Sequence, residues 1–536
     1  TYDIVSASGV SEVGVQIQQA DIISDLSQAY EFAIVAEMTA SNIVFPVGKS
    51  IKTKGYYVAG DAGAGRYLIK SEADALASGE IKSEDLASYY SLGSHKLANN
   101  TWCVLCVSSK TGVSHFGASG SPQVDTIYIQ AAMDRMLYVR FEAGKTYLHG
   151  KLIPRDNQTL DLNRATLERD IASNPGNVDA WHIDAWTFYI TDTLVGFSVQ
   201  NGIINDKHSE NVGHQSFFGV NLGGKIERCV FSRLDFLDSR MGVGVSNLAN
   251  TEVASQTCEI SRCKFKSVNK ANDGSPFANV SAASYALAAM YRTVNLMFER
   301  NSAVYSTHLI ILDAAEGDTK VGENCTIRKN SASRTEDSSI YCYGHNHLIE
   351  DNYVSQAGKD GIKTNTLLSV ISKGTTITRN KVFGSIGWHK SDASGSIILA
   401  GDNHEAINNK VFIEESDSAY GTYAYMINTI GSGHLVDGNK LITTKSQRGV
   451  FLASNSSIYP KGRSVGTIIT NNHIESENLL VGLWGTDVYE FQIKDNYLKV
   501  GGSRGIVCTR TVPFTDMRDP LNANISGNTF DCANLN

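Results

Sequence analysis

Three clusters along this chain place carboxylates beside aromatic and cationic side chains. The first runs from Asp313 and Glu316 through Glu336, Asp337, Tyr341, Tyr343 and His345 to Lys359, Asp360 and Lys363, then to Trp388, His389 and Asp392. The second is Asp235 and Asp238 with Arg240, and the third is Glu414, Glu415 and Asp417 with Tyr420, Tyr423 and Tyr425. Paired carboxyls suit hydrolysis of a glycosidic bond, which needs one protonated acid and one ionised base or nucleophile. The first cluster brings most acids, aromatics and cations together. Asp313 and Glu316 therefore lead as catalytic candidates, with Asp337 and Asp360 next. Tyr341, Tyr343, His345, Lys363, Trp388 and Asp392 are the substrate-binding candidates. Each acid also has a plainer reading, as a solvated or turn-capping side chain. His345 and His347 resemble a metal pair, but a third ligand is not evident in the sequence, so surface polarity is expected and no metal or cofactor is assigned.

A repeat must position these residues. Ile327-Arg-Lys-Asn330, Ile349-Glu-Asp-Asn352, Ile377-Thr-Arg-Asn380, Val436-Asp-Gly-Asn439, Ile469-Thr-Asn-Asn472, Ile493-Lys-Asp-Asn496 and Ile525-Ser-Gly-Asn528 share one form, apolar-x-x-Asn. Phe298 to Asn301 and Ala406 to Asn409 are further copies, while Ile226 to Cys229 and Ile260 to Cys263 carry Cys at the last position. Successive Asn or Cys positions lie 22 to 38 residues apart. Units this short cannot bury a core alone, so they must stack. The alternation around each phrase has period two, which predicts strands. The expected fold is all-β: a right-handed parallel β-helix with an Asn ladder at one corner. A second strand follows most corners, so the acids of the first cluster should lie on adjacent coils. Ile340 and Cys342 alternate with Tyr341 and Tyr343, which predicts outward-facing tyrosines.

Composition narrows the partners. The 536 residues carry a net charge of -8 and show no basic stripe, which argues against nucleic acid. No run of 18 apolar residues is present, so no membrane span is expected. Nine scattered Cys suggest no disulfide framework and fit synthesis in a reducing compartment. Cys103 and Cys106 form a lone C-x-x-C in an apolar run and are expected to pack in a core.

The N-terminal part lacks the repeat. A helix or two is expected within Gln16 to Ala36, then short strands to about Val107. The glycine-rich block from Gly55 to Ile69 has no P-loop Lys-Ser/Thr and leads into a strand, so it reads as a structural turn. A helix is predicted from about Pro122 to Met136, with Ile129, Met133 and Met136 on one face, able to cap the solenoid. Domain boundaries are expected at 1–110, 111–155 and 156–536.

Phe116-Gly-Ala-Ser-Gly120, the helix carrying Ile129-Gln-Ala-Ala132, and Phe141-Glu-Ala-Gly-Lys-Thr-Tyr147 resemble the opening of the pectate-lyase-like β-helix domain of bacteriophage tailspikes. The Gly55 to Ile69 and Leu97 to Val104 blocks resemble the small domain that often precedes it. Ser121-Pro-Gln-Val-Asp125 departs from a more acidic run in that family, and no trimer-clamp domain is evident after Phe530. The resemblance implies a homotrimeric virion protein, made in the host cytoplasm and joined to the phage tail or baseplate through its N-terminus. It further implies binding and endo-hydrolysis of a bacterial capsule, exopolysaccharide or O-antigen. A polysaccharide lyase using Lys363, His345 or Tyr343 as base, and a non-catalytic adhesin, are the alternatives on this fold; an esterase is less favoured without a Gly-x-Ser-x-Gly elbow.

Overall fold

A computed structural model describes residues 30–532 except 171, 173–185, 191–192, 206, 208–216, 223–225, 238–240, 247–254, 267–284, 291–292, 305, 307, 314–320, 336, 367–369, 384–394, 414–424, 444–447, 454–463, 477–480, 487, 502–503 and 510–522. The chain divides into two compact units, Thr1–Glu142 and Ala143–Asn536.

The first unit holds a six-stranded sheet, in the order Tyr30–Phe32, Ser50–Thr53, Arg66–Lys70, Trp102–Leu105, Ser94–Lys96 and Tyr90–Ser91. Its glycine-rich block is a turn, as expected, built around Asp61. That carboxylate accepts the backbone N–H groups of Tyr56, Tyr57, Val58 and Gly63 at 2.8 to 3.0 Å. Burial pushes its pKa up, but these four donors outweigh it and hold the group below the usual Asp value. Cys103 is buried in the sheet as expected, whereas Cys106 is exposed just beyond the strand. The helix predicted around Ile129 runs over Thr126–Arg135 and buries Ile129, Ala132 and Met133. Before it, Asp125 is wholly buried and accepts from the N–H groups of Ser119 and Gly120, an ordinary turn role. A short helix, Val35–Ala40, lies at the end of the stretch where helices were expected; residues 16–29 are outside the described chain.

The second unit is a parallel β-helix. Each coil contributes strands to one long sheet and one strand to a separate twelve-stranded sheet that begins at Trp186–Ile190 and ends at Arg504–Thr509. Pairing between coils is parallel and in register. Ile327 faces Ile349, then Ile377, then Ala406, Val436, Ile469 and Ile493. All of these are buried, so the repeated apolar position is the shared core.

The Asn corner forms as the repeat implies. Asn330 donates its side-chain amide to Asn352 Oδ1 at 2.9 Å and to the Phe298 carbonyl at 2.9 Å, and its backbone N–H also meets Asn352 Oδ1. The pattern recurs at Asn352, Asn380, Asn409, Asn439, Asn472 and Asn496. The residue before each Asn is left-handed, including Arg300 at φ 57°, Lys329 at 56° and Arg379 at 55°. That conformation costs a non-glycine residue about 1–2 kcal/mol. The ladder offsets this by satisfying buried backbone groups that would otherwise be orphaned.

One sequence expectation is corrected. Cys229 does not share the corner of Cys263. It belongs to a second interior column, one corner earlier in each coil, where the Val230 N–H meets the Phe197 carbonyl, the Glu259 N–H meets the Cys229 carbonyl, and the next coils place Cys258, Leu296 and Cys325. That column continues with His347, Thr375, His404, His434 and Thr467. His347 is therefore a core residue rather than a surface one. Its Nδ1 accepts the Cys325 N–H at 3.2 Å while Nε2 lies 2.9 Å from the Tyr343 carbonyl. These contacts require the neutral ring with the proton on Nε2. His404 repeats the arrangement with the Thr375 N–H and the Ala400 carbonyl, and its ring stacks on His434 at 5.6 Å.

Candidate functional site

The second-sheet strands His308–Asp313, Ile340–Tyr343, Ile362–Asn365 and Gly395–Asp402 lie side by side in consecutive coils. Ile310, Ile340, Ile362 and Ile397 form one inward column. Parity then turns Tyr341, Tyr343, Lys363 and Asn365 outward, as the Ile340 and Cys342 alternation predicts. Tyr425 has the parity of the inward Ile427 and is buried, so it belongs to the core.

This outer strip is tightly connected. The Tyr341 and Tyr343 hydroxyls lie 2.9 Å apart, and the Asn365 side-chain amide donates to both. Among the described residues the buried Asn365 Oδ1 meets no hydrogen-bond donor. The Lys363 ammonium sits 5.4 Å from the centre of the Tyr341 ring and 3.8 Å from Asp360 Oδ2. Past Asn365, Ile398, Ala400 and Ile430 pack with Ile371 to make an apolar patch.

At the other end of the strip, Ser338 joins two of the predicted acids. Its hydroxyl lies 3.1 Å from Asp337 Oδ1 and 2.9 Å from Asp360 Oδ2. The Ser338 N–H also donates to Asp337 at 2.7 Å, and the Gly395 N–H donates to Asp360 Oδ1 at 3.0 Å. A hydroxyl has one proton to give, so both contacts are hydrogen bonds only when one carboxyl is protonated. Environment selects which. Burial raises the pKa of Asp360, which is 0% exposed, against the opposing pull of Lys363 and these donors. Asp337 is half-buried; burial pushes it up, but the nearby His308 and Lys359 and the Ser338 donors leave it lowered. The two environments push the carboxyls in opposite directions, Asp337 toward the ionised form and Asp360 toward the protonated one. Their facing oxygens are closer than the roughly 6.5 Å minimum of an inverting pair.

The Asp313 backbone ends its strand level with Tyr343, six residues along the chain from Asp337. The side chain of Asp313, and Glu316, Glu336, Trp388, His389 and Asp392, lie outside the described residues, as do Asp238, Arg240, Glu414, Glu415, Asp417, Tyr420 and Tyr423. His345 follows the strip, bridging through its backbone to Glu323 and Lys373, and burial lowers its pKa. Among the described residues Asp235 forms an ion pair with Lys264, 3.7 Å away and at the surface.

Ser338, His308 and Asn365 were missed in the sequence. Their roles depend on which residue faces them one coil away, and only register reveals that. A hollow on the long sheet, lined by Ser232, Arg233, Glu259, Ser261, Arg262, Glu299 and Arg300, was also missed. Three of its arginines sit at left-handed positions, two of them just before the corner residue. Among the described residues no group of three His, Cys, Asp or Glu side chains could hold a metal ion, and no helix is long and apolar enough to cross a membrane.

Fold and strip together define a parallel β-helix protein with a polar site along one sheet. No family model matches the chain, and no curated protein sequence does. Solved structures match it in fold. A tailspike protein of E. coli bacteriophage HK620, a mutant in complex with pentasaccharide, is similar with a TM-score of 0.50 at 11% identity, over 79% of this chain and 84% of that one. The Azotobacter vinelandii mannuronan C-5 epimerase AlgE6 A-module gives 0.44 at 10% identity, over 78% and 98%. A Streptococcus pneumoniae surface protein and adhesin, PfbA, gives 0.44 at 12%, over 75% and 100%. At these identities the likeness is one of fold.

Proposed function

We propose that this chain is a phage tailspike that binds a bacterial surface polysaccharide along the Tyr341–Asn365 strip and cleaves it hydrolytically, with Asp337 as the ionised carboxylate that meets the sugar. The observation that carries the reading is the Ser338 hydroxyl shared between Asp337 and Asp360. It joins two carboxyls whose surroundings push their protonation in opposite directions, beside a tyrosine pair. Asp360 and Ser338 are buried and act as positioning residues, orienting Asp337 without touching substrate, and the protonated acid that hydrolysis also needs is a separate group. A sugar hydroxyl would supply the donor that Asn365 Oδ1 lacks, and the tyrosine rings offer apolar surface beside it. The pentasaccharide-bound tailspike of similar fold supports the substrate class. Assembly as a homotrimer and attachment to the tail through the N-terminal unit belong to the same reading.

The test is polymer size after incubation with purified capsules, exopolysaccharides and O-antigens. Wild type shortens one of them, and Asp337→Asn abolishes shortening while keeping binding. Asp313→Asn, at the far end of the strip, keeps it. The reverse pattern moves catalysis to the Asp313 end. An ultraviolet-absorbing unsaturated product marks a lyase instead of a hydrolase, and binding without any shortening marks an adhesin.

A further inference from the structure

The corner Asn is followed by lysine in three consecutive coils, at Lys381, Lys410 and Lys440. Register places them directly above one another on the long sheet. Val382, Val411 and Leu441 beside them point inward and are buried, so the three lysines share the outer face, and all three are exposed. The next outward column is half-buried and apolar: Phe383, Phe412 and Ile442. Tyr353, 45% exposed, closes one end and stacks on Phe383 at 5.4 Å.

Like charges set directly opposite one another repel, and this row repeats the arrangement twice. Among the described residues none of the three ammoniums meets a carboxylate. The same two columns show what compensation looks like in the next coils. There Glu475 pairs with His473 at 3.5 Å and with Lys499 at 2.7 Å, and the Tyr497 hydroxyl meets Asp531 at 3.3 Å. The lysine row therefore calls for an external anion. The occupant must be extended, with negative charges recurring along the coil axis at about the 4.8 Å strand spacing. It must also tolerate an apolar flank. A second copy of the chain docking face to face would set lysine row against lysine row. An acidic polysaccharide meets these conditions: it is extended, carries carboxylates that recur along the chain, and presents apolar C–H edges to an aromatic column.

We propose that Lys381, Lys410 and Lys440 form a binding track for a linear acidic polysaccharide laid along the coil axis, with Tyr353, Phe383, Phe412 and Ile442 as its apolar flank. The inference rests on the polysaccharide reading above and adds the charge class of the polymer and a second contact surface for it.

The test is affinity electrophoresis of the full chain in gels holding polygalacturonate or neutral dextran, with light scattering on the same samples. Wild type is retarded by polygalacturonate and not by dextran, and added salt weakens the retardation because the ammoniums are exposed. The combined Lys381→Gln, Lys410→Gln, Lys440→Gln variant loses affinity about tenfold, the sum of three modest exposed ion pairs. Lys52→Gln, at an exposed lysine of the first unit, leaves retardation unchanged, which separates the row from surface charge in general. Equal retardation of wild type and the triple variant overturns the proposal, as does equal retardation by dextran. A triple variant that loses its oligomeric state also overturns it, assigning the row to a subunit interface. Wild type that shortens a surface polysaccharide yet ignores polygalacturonate overturns the track and leaves the proposed function standing.

Discussion

Asp360 illustrates how one buried carboxyl is kept useful by staying neutral. Its folded pKa is raised, so the folded state holds a proton that the unfolded chain releases above about pH 4. Its contribution to stability is complete below that pH and is lost as pH rises through the folded value. Asp360→Asn copies the protonated acid: the amide donates to Ser338 and its oxygen accepts from Gly395. Thermal unfolding of this variant should show equal or higher stability than wild type above pH 5, with the gap widening toward alkaline pH. Ser338→Ala should cost about 1–3 kcal/mol, because Asp360 loses a buried partner. Asp337 and Asp360 were both legible as candidates in the sequence, since acids near tyrosines and lysines are countable. The Ser338 hydroxyl that joins them was not, because it depends on register between coils; Asp313 and Glu316, ranked ahead of them, have side chains outside the described residues.

The corner ladders are the elements that fix this register. Asn380 gives its amide to two carbonyls and to Asn409 Oδ1, and its own oxygen receives the Asn352 backbone and side chain. Asn380→Ala should destabilise the chain by about 2–4 kcal/mol, since several buried groups lose partners at once, and calorimetry would read this as a lower Tm. Asn380→Asp should do similar damage above pH 5, because a carboxylate cannot donate. The Asn ladder was readable from the sequence because one residue type recurs. The second column was not. It uses Cys, Leu, His, Thr and Phe at equivalent places, a set united by inward position and not by chemistry, and Cys229 was drawn into the wrong ladder because both corners share the same period. The lysine row was equally visible as Asn-Lys in three adjacent phrases. Its meaning required knowing that the residue after the corner points outward.

Across the whole molecule, stability should bend toward acid. His347 and His434 are buried with pKa values lowered to about 4, and burial pushes His404 well below the usual histidine value. Each ring is neutral in the fold and binds a proton more readily unfolded. The stability they lend is full above about pH 6.5 and drains away as pH falls toward 4. Thermal midpoints should therefore drop across that interval, and His404→Asn, which can accept and donate in the same directions, should flatten the drop. A profile unchanged from pH 7 to 4 would show that these rings are already protonated in the fold. Fold class was legible at this scale, since repeat period and strand alternation together leave few architectures. The loops between strands carry no repeat, so the chemistry they hold had to be sought residue by residue.

The Asn ladder also has a direction. Each side-chain oxygen accepts from the Asn of the coil before it, and each side-chain amide donates to the Asn oxygen of the coil after it as well as back to a carbonyl of the coil before. No coil closes the series on itself, so every coil presents on one side the complement of what it needs on the other. A whole coil can thus be spliced in or out at a corner, and the remaining rungs rejoin without a new chemistry. Length becomes a variable separate from both the strip and the lysine row: adding one coil beyond Asn472 would carry the far end outward by about 4.8 Å and leave both surfaces as they are.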